Sequence, residues 1–135
     1  MIKLITGKKG SGKTKKLLDI VNATLEQSKG NVVVIEQGNK LTYDIKYTAR
    51  LIDANEYAIN SYDAFYGFVA GLTAGNYDIT DIFVDGILRI GGRDYDMLAD
   101  ALQRINAITG EKVTVTLTVS ADDADLPEGV LQFAK

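Results

Sequence analysis

Leu4-Ile5-Thr6-Gly7-Lys8-Lys9-Gly10-Ser11-Gly12-Lys13-Thr14 carries an apolar strand, Ile2 to Thr6, into an amphipathic helix that begins at about Lys13. The residues between fit G-x-x-x-x-G-K-[ST] at every specified position. Gly7, Gly10 and Gly12 let the backbone curl, so that successive N–H groups of Lys8, Lys9, Ser11 and their neighbours point inward at an anion. The helix adds its positive N-terminal end, where polyphosphate charge is favoured. Lys13 then serves as a point charge for β- and γ-phosphates, and the Thr14 hydroxyl as a ligand for Mg²⁺. Four fixed positions would coincide by chance in roughly one chain of this length in a hundred or fewer. The strand before and the helix after lower that figure further.

Composition bounds the rest. At 135 residues the chain suits one domain, residues 1–135, with 46% hydrophobic and 24% charged residues as in ordinary globular proteins. A net charge of −3 gives no basic field for coating nucleic acid. With no cysteine and no histidine, disulfides, thiolate metal sites and imidazole acid–base chemistry are excluded. The apolar N-terminal run is too short for a secretory signal, and Ala64 to Leu72 is too short to span a bilayer. A cytoplasmic location is expected.

Beyond the loop, Leu17, Leu18, Val21 and Leu25 share one helix face, and Gly30 stops that helix. Val32-Val33-Val34-Ile35 is a β-branched run of the kind a parallel strand shows when covered on both faces. The stretch from Gln37 to Asn60 is less legible, with β-like pieces at Tyr43–Tyr47 and Arg50–Ile52. Helical spacing returns with Phe65, Phe68, Val69 and Leu72 behind an Asn60 cap, and Gly67 and Gly71 suit close helix packing. Ile79 to Val84 is a second apolar strand closed by Asp85-Gly86, and Gly91-Gly92 marks a loop. Asp94 caps a helix that turns Tyr95, Leu98, Leu102, Ile105 and Ile108 inward until Gly110. From Lys112 to Ser120, valines and Leu117 alternate with threonines, a strand whose threonine face implies incomplete burial. Asp125-Leu126-Pro127-Glu128 has the spacing of a capping box and predicts a terminal helix over Val130–Lys135. Strands alternating with helices predict an α/β three-layer sandwich with a mostly parallel sheet.

A phosphate loop needs a second metal anchor, and Ile82-Phe83-Val84-Asp85 offers a carboxylate at the end of a buried strand. Asp53 is the weaker candidate, because only Leu51 and Ile52 precede it. Glu36 ends the Val32–Ile35 strand at the carboxyl edge, where ligands bind in such sheets, and is a candidate for orienting water. Ser120 closes its own strand at the same edge and is a candidate γ-phosphate contact. Arg89 and Arg93 are the best candidates for arginine fingers serving a neighbouring subunit, and one of the central tyrosines could stack on a base.

With the loop (a Walker A pattern), Asp85, Glu36 and Ser120 in place, the chain resembles the P-loop nucleoside triphosphatases, and within them the RecA-like ATPases. It is also similar to small stand-alone P-loop proteins carrying a twitching-motility ATPase label, although it has none of the histidine boxes of true motors. The resemblance implies an ATP-binding, Mg²⁺-dependent hydrolase with Lys13, Glu36 and Asp85 in catalytic roles. Two other classes stay open. One is a nucleotide-dependent module that orders Gln37–Asn60 for a protein partner or a second copy; the other is a phosphotransferase acting on a nucleoside. The N-K-x-D base-reading pattern of GTPases is absent.

Overall fold

Apolar periodicity and the turn residues fix the element order. A computed structural model describes residues 1–41, 44–46 and 48–134. Strand β1 (Ile2–Thr6) leads through the glycine loop to α1 (Lys13–Gln27), then β2 (Asn31–Glu36) and β3 (Arg50–Asp53). Helix α2 (Tyr62–Gly75), β4 (Ile79–Asp85) and a one-turn α3 (Ile87–Gly91) follow. Helix α4 (Tyr95–Thr109), β5 (Thr114–Val119), a single 3₁₀ turn at Asp123–Asp125 and α5 (Glu128–Leu131) complete the order.

The five strands form one sheet in the order β1-β5-β4-β2-β3, every neighbouring pair parallel. Strand β5 therefore lies between the loop strand and the Asp85 strand, which settles its place. Helices cover both faces, as an all-parallel sheet requires. Leu17 and Val21 of α1 pack on Ile5, Val32, Val34 and Phe83, joined by Leu41, Ile45 and Ala49 from the segment after β2. On the other face α2, α3, α4 and α5 enclose Val33, Ile35, Ile82, Val84, Val115 and Leu117. Val32 to Ile35 are each 3% exposed or less, so β2 is covered on both sides. Full burial of such a side chain stabilises by about 1.5–3 kcal/mol, which is what commits the run to the sheet interior. The result is a three-layer α/β sandwich around an all-parallel sheet.

Several local expectations are corrected. Thr116 and Thr118 are 4% and 1% exposed, so the threonine face of β5 is buried. It alternates with Val115 and Leu117 and so faces the α1 side, where the Thr118 hydroxyl finds polar partners. Ile108 is 40% exposed on α4 and Tyr95 only half-buried. The cap of α2 is Ser61, whose hydroxyl accepts from the Ala64 amide at 3.0 Å, and not Asn60. The residue preceding α5 is Pro127, which brings no side-chain cap, and α5 is one turn long, Glu128–Leu131 and not Val130–Lys135. Gly67 and Gly71 are exposed, with open space where a Cβ would stand. Arg50–Asp53 is an edge strand beside β2. Tyr43 and Tyr47, the ends of the other β-like piece, lie outside the described residues; Asp44 to Lys46 between them form no strand.

Candidate functional site

The glycine loop is anchored at both ends. At its start, the Gly7 amide donates to the Ala121 carbonyl at 3.0 Å, tying the loop to the end of β5. At its end, Gly12 sits just before α1 with φ 86, a left-handed conformation that a residue with Cβ adopts at a cost. The loop backbone thus opens directly onto the helix N-terminus, the arrangement that concentrates N–H donors on an anion.

Lys13 is the first residue of α1, and its residue surface is 8% exposed. Its ammonium donates to the Lys8 carbonyl at 2.8 Å and to Ser11 Oγ at 3.4 Å. Burial holds it below the usual lysine value; Asp85 pulls it back up and Arg89 pushes it further down. One position on, the Thr14 hydroxyl lies 3.3 Å from both carboxylate oxygens of Asp85. Strand β4 and helix α1 are far apart in sequence, so parallel packing alone brings this pair together. A hydroxyl and a carboxylate are hard oxygen donors, the chemistry Mg²⁺ takes, so the residues present fit that ion.

Thr118 completes the arrangement, and the sequence reading missed it. Its hydroxyl accepts from the Gly86 amide at 2.7 Å and donates to Asp85 Oδ1 at 2.8 Å. Strand β5, lying between β1 and β4, thereby fixes the carboxylate. Alternation marks Thr118 as polar but not what lies opposite it, and the order of the strands supplies that neighbour.

These groups line a cavity of about 580 Å³, within the usual range for small-molecule sites. Lys13, Thr14, Asp85, Thr118 and Ser120 all contribute, with Lys9, Gly10 and Gly12 from the loop. Arg89 and Arg93, expected to serve another subunit, line this chain's own cavity. Among the described residues four cations and one carboxylate line the space, although the chain as a whole carries −3. Among the described residues no aromatic ring lines it, so none of the described tyrosines is placed to stack on a base. Tyr62 instead donates to the Gly92 carbonyl at 2.5 Å, and Tyr66 lies beneath Arg104, 4.0 Å from guanidinium carbon to ring centre.

Glu36 sits elsewhere. It is the register partner of Asp85 on the neighbouring strand and is buried. Its carboxylate, however, accepts from the Lys40 amide at 3.2 Å and the Leu41 amide at 2.8 Å. It lines a separate groove with Asp53, which accepts from the Gly38 and Asn55 amides at 2.8 and 2.9 Å. Asp53 is thus a turn acceptor away from the loop. Lys8 turns outward, 3.7 Å from Asp122.

No family model matches the sequence, and no curated protein resembles it closely enough to align. The structure is similar to that of the flagellar accessory protein FlaH from Methanocaldococcus jannaschii, with a TM-score of 0.61 at 19% identity. The match covers 97% of this chain and 65% of FlaH. At that identity the likeness is one of fold, and it agrees with the parallel α/β sandwich.

Proposed function

We propose that the chain binds Mg²⁺-ATP in the cavity between the glycine loop and Asp85, and hydrolyses it slowly. The observation that carries this is the charge reversal: an acidic protein gathers four cations, a glycine loop and one buried carboxylate around a single cavity. Gly7 to Gly12 offer amides to the phosphates, Lys13 leaves the Lys8 carbonyl for the β- and γ-oxygens, and Ser120 stands at the γ end. Thr14 and Asp85 would hold the ion, with Thr118 keeping the carboxylate aimed. Bound there, Mg²⁺ supplies the charge that neutralises and orients the terminal phosphates.

Glu36 is the proposed water-orienting group. To act so, its carboxylate must leave the Lys40 and Leu41 amides and swing toward its register partner. Those same bonds favour a second reading, in which the segment after Glu36 responds to nucleotide and presents itself to a protein partner or a second copy. Among the described residues no helix is long and apolar enough to cross a membrane.

Calorimetric titration with Mg-ATP, Mg-GTP and ADP, followed by phosphate release from the same sample, tests the proposal. Saturable triphosphate binding with slow release of phosphate is expected. Indifference to every triphosphate would overturn it, and binding without release would favour the regulatory reading.

A further inference from the structure

We infer that Arg89 is the residue by which this site tells a nucleoside triphosphate from a diphosphate, and that Asp85 restrains it until a divalent ion takes that carboxylate. The inference rests on the Mg-nucleotide reading above and concerns a residue that reading leaves without a role.

Arg89 is the third residue of α3, which follows Asp85 through Gly86 alone, and it lines the cavity. The wall is shaped around the guanidinium. Gly86 has φ +79, and a Cβ there would stand 2.6 Å from both Nε and Nη2 of Arg89. Gln37 Nε2 donates to the Arg89 carbonyl at 3.4 Å, holding the backbone while the side chain stays half-exposed.

The ion pair itself is loose. Arg89 Nη2 is 3.7 Å from Asp85 Oδ2, well beyond the 2.7–2.9 Å or so of a charge-assisted hydrogen bond. Oδ1 is already engaged by Thr118 at 2.8 Å, so the guanidinium and a divalent ion would compete for what remains of one carboxylate. An ion seated on Asp85 and Thr14 would place like charge beside the guanidinium and drive it off. The anion left within its reach is the far end of the polyphosphate, and its planar fork suits a terminal phosphate. Arg93 differs: its partner is the neutral Ser120 carbonyl, at 3.5 Å, so a metal on Asp85 removes nothing from it.

The test measures affinities of fluorescent ATP and ADP analogues for wild type, Arg89→Ala, Arg89→Lys and Lys13→Ala, each with Mg²⁺ and with EDTA. With Mg²⁺, Arg89→Ala should weaken the ATP analogue by about tenfold, the loss of a charge-assisted contact, and leave the ADP analogue within about twofold. Arg89→Lys, which keeps the charge without the fork, should fall between. In EDTA the ATP penalty should vanish, because Asp85 still restrains the cation. Equal losses for both analogues, or an ATP penalty of the same size in EDTA, would overturn the inference while wild-type binding upholds the underlying reading. If wild type binds neither analogue and Lys13→Ala matches it, the underlying reading fails, and this inference with it.

Discussion

Strands β4 and β2 run side by side and end on carboxylates that share one register level, Asp85 and Glu36. Both are buried, at 5% and 8% exposure. Their surroundings differ completely. Asp85 is met by side chains: two threonine hydroxyls and a guanidinium, all in a cavity rich in cations. Glu36 is met by the backbone of the turn that follows it, which satisfies both oxygens. A place at the carboxyl edge of a parallel sheet is therefore permission and not assignment. What decides is whether the next residues fold back over the carboxylate or leave it facing a neighbouring strand.

The sharpest way to break this contrast is at the loop. Lys13→Ala should weaken Mg-ATP by about a hundredfold, since charge-assisted bonds to phosphate are each worth about 1.5–3 kcal/mol. Titration calorimetry reads it directly, and a loss of less than about fivefold would mean the cation pocket is not where phosphate sits. Next comes Thr118→Val, which keeps the shape but orphans the buried Gly86 amide and frees Asp85. It should cost about 1–3 kcal/mol in urea unfolding and also reduce the effect of Mg²⁺ on nucleotide affinity. An unchanged metal effect would show that Asp85 needs no such support.

Glu36→Gln sharpens the other side of the contrast. An amide accepts two N–H bonds less well than a carboxylate, so stability should fall by about 1 kcal/mol while nucleotide affinity stays within about twofold. If phosphate release stops as well, Glu36 works on water; if release continues unaltered, the turn is its whole occupation. The smallest effect is a pH dependence. Tyr62 packs its ring where Gly91 lacks a Cβ and donates to the Gly92 carbonyl, holding the end of α3. Burial, then Asp94 and Tyr95, push its phenol well above the usual tyrosine value. The folded state therefore keeps a proton that the unfolded chain releases near pH 10, so stability falls as pH rises past that point. Tyr62→Phe should flatten this alkaline slope in melts between about pH 9 and 11.

Much of the architecture was legible because the signals were chemical and local. The loop could be read residue by residue, and Ile82-Phe83-Val84 before Asp85 announced a buried strand with a polar end. What escaped depended on neighbours distant in sequence. Helix α3 is five residues long, too short for any period to show, yet it turns Arg89 toward Asp85. The threonines of β5 looked half-solvated because alternation reports polarity and not what lies opposite. Glu36 was correctly placed at the sheet edge, but the fold of Gln37–Leu41 over its carboxylate left no periodic trace.

Thr14, Asp85 and Thr118 reach one another only because three strands and a helix keep their mutual alignment, across 71 and 33 positions of chain. Sliding β5 by a single residue would present Leu117 or Val119 to Asp85 and reverse every side chain on that strand. A ligand gripping all three would act as a clasp on the sheet's middle. Its occupancy would slow hydrogen exchange throughout β5 and β4, and the melting temperature would climb with ligand concentration as one cooperative transition.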